Sequence, residues 1–220
     1  MLQAVGQLLP IAAAGAVSSV PITAMIMILL SPKRTVSAVP FLVGWVLGLA
    51  TVVSLCALGA QAVPVSRFGR HDTALGVAEI IVGAALVAAA LLVRRRMPAQ
   101  SSGLPRWLGG IGSLGRWSSF GVALALNLRP KAILLAVAAG LVLRAAALPL
   151  GQSAVVIAVY TVIAASTVVV PITMTLISPG RMEPRLIRAR EWLGLHGRAV
   201  SAAVLVIVGI VAIGNGLTRL

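Results

Sequence analysis

Residues 117–143 read WSSFGVALALNLRPKAILLAVAAGLVL, an apolar run of membrane-crossing length interrupted at its middle by Asn127-Leu128-Arg129-Pro130-Lys131. The proline has no N–H to donate, and its ring clashes with the carbonyl four residues back, so a helix breaks or kinks there. Each cation at the centre of a span costs roughly 2.5–3.5 kcal/mol on insertion scales. Starting the span after Lys131 leaves only residues 132–143 before Arg144, too short for a hydrocarbon core of about 30 Å. The stretch therefore reads as a broken transmembrane helix. Its second half begins near Pro130, with free N–H groups and two cations aimed at an anion.

The rest of the chain agrees with that setting. Of 220 residues, 60% are hydrophobic and 10% charged, and the mean hydropathy is +1.07. Soluble domains carry about 25% charge, so a water-soluble globule is excluded. Six apolar stretches are long enough to cross, at about 8–30, 36–58, 73–93, 117–143, 150–177 and 199–217. No positive segment precedes the first, which reads as an uncleaved span rather than a signal peptide. The single cysteine, Cys56, leaves no intramolecular disulfide and no multi-thiolate site.

The charge is almost all basic, with 18 Lys and Arg against 4 Asp and Glu. These bases lie between apolar runs, which points to membrane-facing loops and anionic headgroups and away from nucleic acid. Loops one, three and five hold twelve: Lys33, Arg34, Arg94, Arg95, Arg96, Arg106, Arg116, Arg181, Arg185, Arg188, Arg190 and Arg198. The other loops and the C-terminus hold four, namely Arg67, Arg70, Arg144 and Arg219. The positive-inside rule then gives the odd loops to the cytoplasm and both termini to the outside of the cytoplasmic (inner) membrane. Within loop five, residues 184–196 interleave Leu and Ile with Arg beside Trp192, the pattern of a surface helix that serves as a positive-inside collar with an aromatic belt or, alternatively, as a basic rim that gathers anionic headgroups.

Weak similarity links the two halves. Ile81-Val82-Gly83 matches Ile207-Val208-Gly209, Thr51-Val52-Val53 matches Thr167-Val168-Val169, and the break at Pro21 in span one matches that at Pro130 in span four. Units of three helices insert with opposite topology. The expected architecture is a single all-α transmembrane domain over 1–220, built as a 3+3 inverted repeat. Repeat one covers about 1–96 and repeat two about 104–220, with the site at the midplane where matched helices break. Span one supplies Ser18, Ser19, Pro21 and Thr23 there, because hydroxyls can partner the backbone groups that Pro21 frees. Asn127, Arg129, Pro130 and Lys131 come from span four, the cations for an anionic headgroup and Asn127 for hydrogen bonds. Glu79 is the one carboxylate well inside an apolar run; it is the candidate coupling group or, less than two turns from Asp72, a solvated interfacial carboxylate. Gly44 and Gly48 permit close helix packing.

No catalytic constellation emerges. Neither His71 nor His196 has a metal-ligand partner at suitable spacing, no nucleophile has a base within its span, and no phosphate loop follows a strand. An enzyme, a metal and a cofactor are not expected.

The run Ser18–Pro32 with Lys33-Arg34, then Phe41-Leu42-Val43-Gly44-Trp45-Val46-Leu47-Gly48-Leu49, resembles the first two helices of the GAP family. These are the peptidoglycolipid- or sulfolipid-addressing proteins of mycobacteria and other actinobacteria, placed in the LysE superfamily of six-helix exporters. The resemblance continues through residues 127–140, 167–171 and 185–195. Two positions depart from it. Ser19 stands where the family often has the first proline of Ser-Pro-x-Pro, and Arg129 stands at the asparagine of Asn-Pro-Lys. The resemblance implies movement of a lipid or glycolipid, more anionic for the added cation, across or out of the inner membrane. Two alternatives remain: a LysE-type exporter of a small solute such as an amino acid, and a non-transporting accessory of larger lipid-export machinery. Glycine-rich faces permit a homodimer without requiring one.

Overall fold

A computed structural model describes residues 2–62, 71–95 and 115–218. Every element among them is helical: α1 Leu2–Ala16, α2 Ser19–Leu29, α3 Arg34–Ala62, α4 His71–Arg95, α5 Arg116–Asn127, α6 Pro130–Ala145, α7 Leu150–Ile177 and α8 Pro179–Leu217. The expected bases at Arg67, Arg70, Arg96, Arg106 and Arg219 lie outside the described residues.

Among the described residues, four segments are long and apolar enough to cross a membrane: Arg34–Gln61, Leu75–Val93, Leu150–Ile177 and Ala199–Leu217. Two further spans arise if each bent pair counts as one, with α1 meeting α2 at 49° and α5 meeting α6 at 61°. Less than half of each of the four apolar windows is buried in the bundle. Leu55, Ile81, Val162 and Ile210 are among the large aliphatic side chains that face outward. Helices that are apolar all round, in a bundle whose outer surface is equally apolar, need lipid as their solvent. The chain is a multi-pass membrane protein.

Both breaks follow from proline, by different routes. At the α5–α6 break Pro130 is the first residue of α6, and its ring pushes the preceding Arg129 into an extended conformation, φ −73° and ψ 149°. In the first apolar stretch the expected break at Pro21 lies upstream, at Val17–Ser18, with Ser18 extended at φ −90° and ψ 113°. A proline fits the first turn of a helix, and its clash falls on the carbonyl four residues earlier, here Val17. Thr167 Oγ1 of α7 donates to Ala16 O at 2.8 Å, partnering one of the carbonyls orphaned where α1 ends.

Small residues set the helix seams. A Cβ on Gly44 would meet Phe120 O at 2.6 Å, one on Gly48 Asn127 Nδ2 at 2.5 Å, and one on Gly140 Cys56 O at 2.8 Å. Another close seam joins α4 to the C-terminal half of α8. There a Cβ on Gly83 would lie 2.7 Å from Gly209 O, and one on Gly209 2.8 Å from Gly83 O. The neighbours are reciprocal as well: Gly83 faces Ile213 and Gly209 faces Val87.

The segment 184–196, expected as a separate surface helix, is continuous with the last span as α8. Leu186 and Gly197 face the bundle, whereas Ile187, Trp192 and Leu195 are exposed, with Trp192 stacked on His196 at 5.2 Å. Glu183 in the first turns of α8 lies 3.9 Å from Arg34 at the start of α3. Loops one and five therefore share one side of the bundle.

Candidate functional site

The two breaks face one cavity. Its wall is Gly15 and Ser18 from the α1–α2 break, Trp45, Leu49, Val52 and Val53 of α3, and Tyr160 of α7. Asn127, Arg129, Lys131, Ala132, Leu135 and Ala136 complete it from the α5–α6 break. The empty space is about 460 Å³ including the open mouth.

Two helices begin at this cavity, α2 with 11 residues and α6 with 16. Their N-cap residues, Ser18 and Arg129, both line it, and neither N-terminus receives a side-chain cap. Free N–H groups and the positive end of each helix dipole are thus presented to the same region. Arg129 Nε donates to Leu126 O at 3.2 Å, which fixes the guanidinium against the last carbonyls of α5.

The polar side chains are donor-rich. Lys131 Nζ and Trp45 Nε1 are buried and make no hydrogen bond, and both can only donate. Asn127 Nδ2 donates to Ala123 O at 3.0 Å and to Trp45 O at 3.5 Å, leaving Oδ1 unpartnered. Asn127 fits only because Gly48 has no side chain. No carboxylate is among the described lining residues. A buried ammonium without a counter-charge carries an effective penalty of several kcal/mol. Donors, two cations and two helix N-termini thus converge on one lining with no acid among its described residues, and the rest of the wall is apolar apart from the Tyr160 hydroxyl.

Of the residues expected at the site, Ser18, Asn127, Arg129 and Lys131 come together, and Pro130 holds the last two in place as the first residue of α6. Ser19, Pro21 and Thr23 do not line the cavity. Ser19 Oγ lies 3.2 Å from Ser201 Oγ of α8, Thr23 Oγ1 donates to Ser19 O at 2.7 Å, and Pro21 is buried in the first turn of α2. One step along a helix turns a side chain by about 100°, so Ser18 and its neighbour face different partners. Glu79 is also separate. It lines a second cavity of about 350 Å³ with Gln7 of α1, Asn215 of α8 and apolar residues including Ala138 and Val142 of α6.

Trp45, Tyr160 and Gly15 were not anticipated as site residues. Trp45 lies in mid-span rather than at an interface, where membrane tryptophans gather, and Tyr160 is the chain's single tyrosine within an aliphatic run. Those two placements are the signals that could have found them.

No curated protein and no solved structure matches the chain. One family model does, described as Sap, sulfolipid-1-addressing protein (SfLAP), and it covers residues 8–218. With nearly its whole length matched, the chain belongs to the sulfolipid-1-addressing protein family.

Proposed function

We propose that this protein is a cytoplasmic-membrane transporter that moves an anionic lipid or glycolipid across or out of that membrane. The headgroup sits between the two helix breaks. Arg129 and Lys131 neutralise it, and Trp45, Ser18 and Asn127 supply hydrogen bonds. The observation that carries this reading is that the Lys131 ammonium and the Trp45 indole N–H, both buried and without a hydrogen bond, line one cavity with no carboxylate among its described residues. A sulfate or phosphate ester supplies the matching acceptors. The family's description names a sulfolipid, which makes a sulfated glycolipid the first candidate. A free amino acid fits less well, because its ammonium would meet the two cations.

In this reading each bent pair is one span, giving six spans as a 3+3 inverted repeat. Two features favour the repeat: the paired breaks, and the reciprocal Gly83–Gly209 contact with its neighbours Val87 and Ile213. Both termini are extracytoplasmic, a reading favoured by the Arg34–Glu183 approach, which keeps two basic loops on one side. Glu79, in its own cavity with Gln7 and Asn215, is the coupling carboxylate.

The test is translocation in proteoliposomes, with a fluorescent sulfated glycolipid compared with its unsulfated analogue. The sulfated probe should move faster than in protein-free vesicles, and Lys131→Met should remove about nine-tenths of that gain. Equal movement of both probes would overturn the anionic headgroup. No movement, with activity restored by a co-purifying transporter, would make the protein an accessory.

A further inference from the structure

The second cavity has the opposite chemistry to the first. Its polar lining is Glu79 of α4, Gln7 of α1 and Asn215 of α8, and every other described lining residue is aliphatic. No basic residue is among them. Glu79 is only 5% exposed. The three polar side chains come from three helices, and the space between them and the aliphatic wall has room for a body the size of a water molecule. The same two half-helices wall both cavities. α1 runs from Gln7 here to Gly15 at the headgroup cavity, and α6 runs from Lys131 there to Leu141 here.

An ionised carboxylate buried among aliphatic side chains at membrane depth is costly until a positive charge joins it. One monovalent cation makes the lining neutral, whereas a divalent ion leaves a net positive charge there, and calcium takes about six to eight oxygens. Glu79 offers two oxygens, and Gln7 and Asn215 one carbonyl oxygen each. Such oxygens replace the hydration shell of a small cation. A proton needs only the carboxylate, so the two carboxamides favour a metal cation. We infer that Glu79, Gln7 and Asn215 form a binding site for a small monovalent cation, with sodium the first candidate; this rests on the coupling role proposed for Glu79 above and names its ion. A cation held there ties α1 to α4 and α8, and α1 ends at the break where the headgroup cavity begins.

The experiment is thermal unfolding of the full chain in detergent, with sodium chloride or choline chloride at one ionic strength and one pH. Each tenfold of sodium above its dissociation constant should raise the midpoint by about 3–6 °C, and choline should not. The sodium response should vanish in Glu79→Gln and need about tenfold more sodium in Asn215→Leu and in Gln7→Leu. It should persist in Glu183→Gln, whose carboxylate is exposed on α8. The two leucine variants carry the test if Glu79→Gln does not fold. Equal midpoints in sodium and choline, or a sodium response that survives Glu79→Gln, would overturn the site. Translocation in proteoliposomes under a sodium or a proton gradient separates the site from the coupling role. A Glu79-dependent sodium response with no effect of the sodium gradient would leave the site standing and overturn the coupling role. Transport driven by a proton gradient, with no sodium response, would overturn the site and leave Glu79 as the coupling carboxylate.

Discussion

Gly83 of α4 and Gly209 of α8 each fill the space where the other's side chain would be: a Cβ on either would lie within 2.8 Å of the other's carbonyl oxygen. The contact is reciprocal, as the inverted repeat proposed above requires. Gly83→Ala and Gly209→Ala should therefore cost similar amounts, about 1–3 kcal/mol each from overpacking. The double variant should cost less than the sum, since the first methyl already parts the helices. Gly59→Ala in α3 and Gly121→Ala in α5 meet nothing within 4 Å and should be neutral or stabilising by up to about 1 kcal/mol. Thermal unfolding in detergent measures all five.

Lys131 should show opposite effects on stability and on binding. Its ammonium is buried with no hydrogen bond, so Lys131→Met should stabilise the ligand-free protein by about 1–3 kcal/mol. The same variant should weaken binding of a sulfated glycolipid by tenfold or more, about 1.4 kcal/mol or above. A loss of both stability and binding would mark Lys131 as structural.

Gly48 should act on the ligand through Asn127. A methyl at residue 48 would sit 2.5 Å from Asn127 Nδ2, on a side chain anchored to Ala123 O and Trp45 O. Gly48→Ala should thus reproduce the binding loss of Asn127→Ala, and combining the two should add little. Additive losses in the double variant would separate the two residues.

Thr167 ties α7 to the end of α1. Thr167→Val keeps the shape and leaves Ala16 O without this partner, for a cost of about 1–3 kcal/mol. Breaking the exposed Arg34–Glu183 pair by Glu183→Gln should cost no more than about 1 kcal/mol. Unfolding of the two variants under one condition gives the comparison.

Much of this was legible in the chain because its causes are local. The apolar stretches became helices, and α6 starts at Pro130 because the constraint on the preceding residue acts within one peptide unit. The break before α2 was read at Pro21 and lies at Val17–Ser18, since a proline's clash is felt a turn upstream. The inward face of α2 depended on α8: Ser19 meets Ser201, and Gly197 leaves room for it. Tertiary neighbours that sequence spacing does not encode also brought Trp45 and Tyr160 to the cavity and took Glu79 to another. Residues 184–196 kept their amphipathic pattern, but nothing in the sequence stops the helix before the last span, and α8 runs through.

The most direct measurement is an inventory by mass spectrometry of the lipids that stay with the purified protein, for the wild type and for Arg129→Leu/Lys131→Leu. The wild type should retain one anionic lipid class well above its share of the source membrane, and the double variant should lose that enrichment while remaining folded. The same bulk lipids in the same proportions on both proteins would contradict the anionic-lipid site.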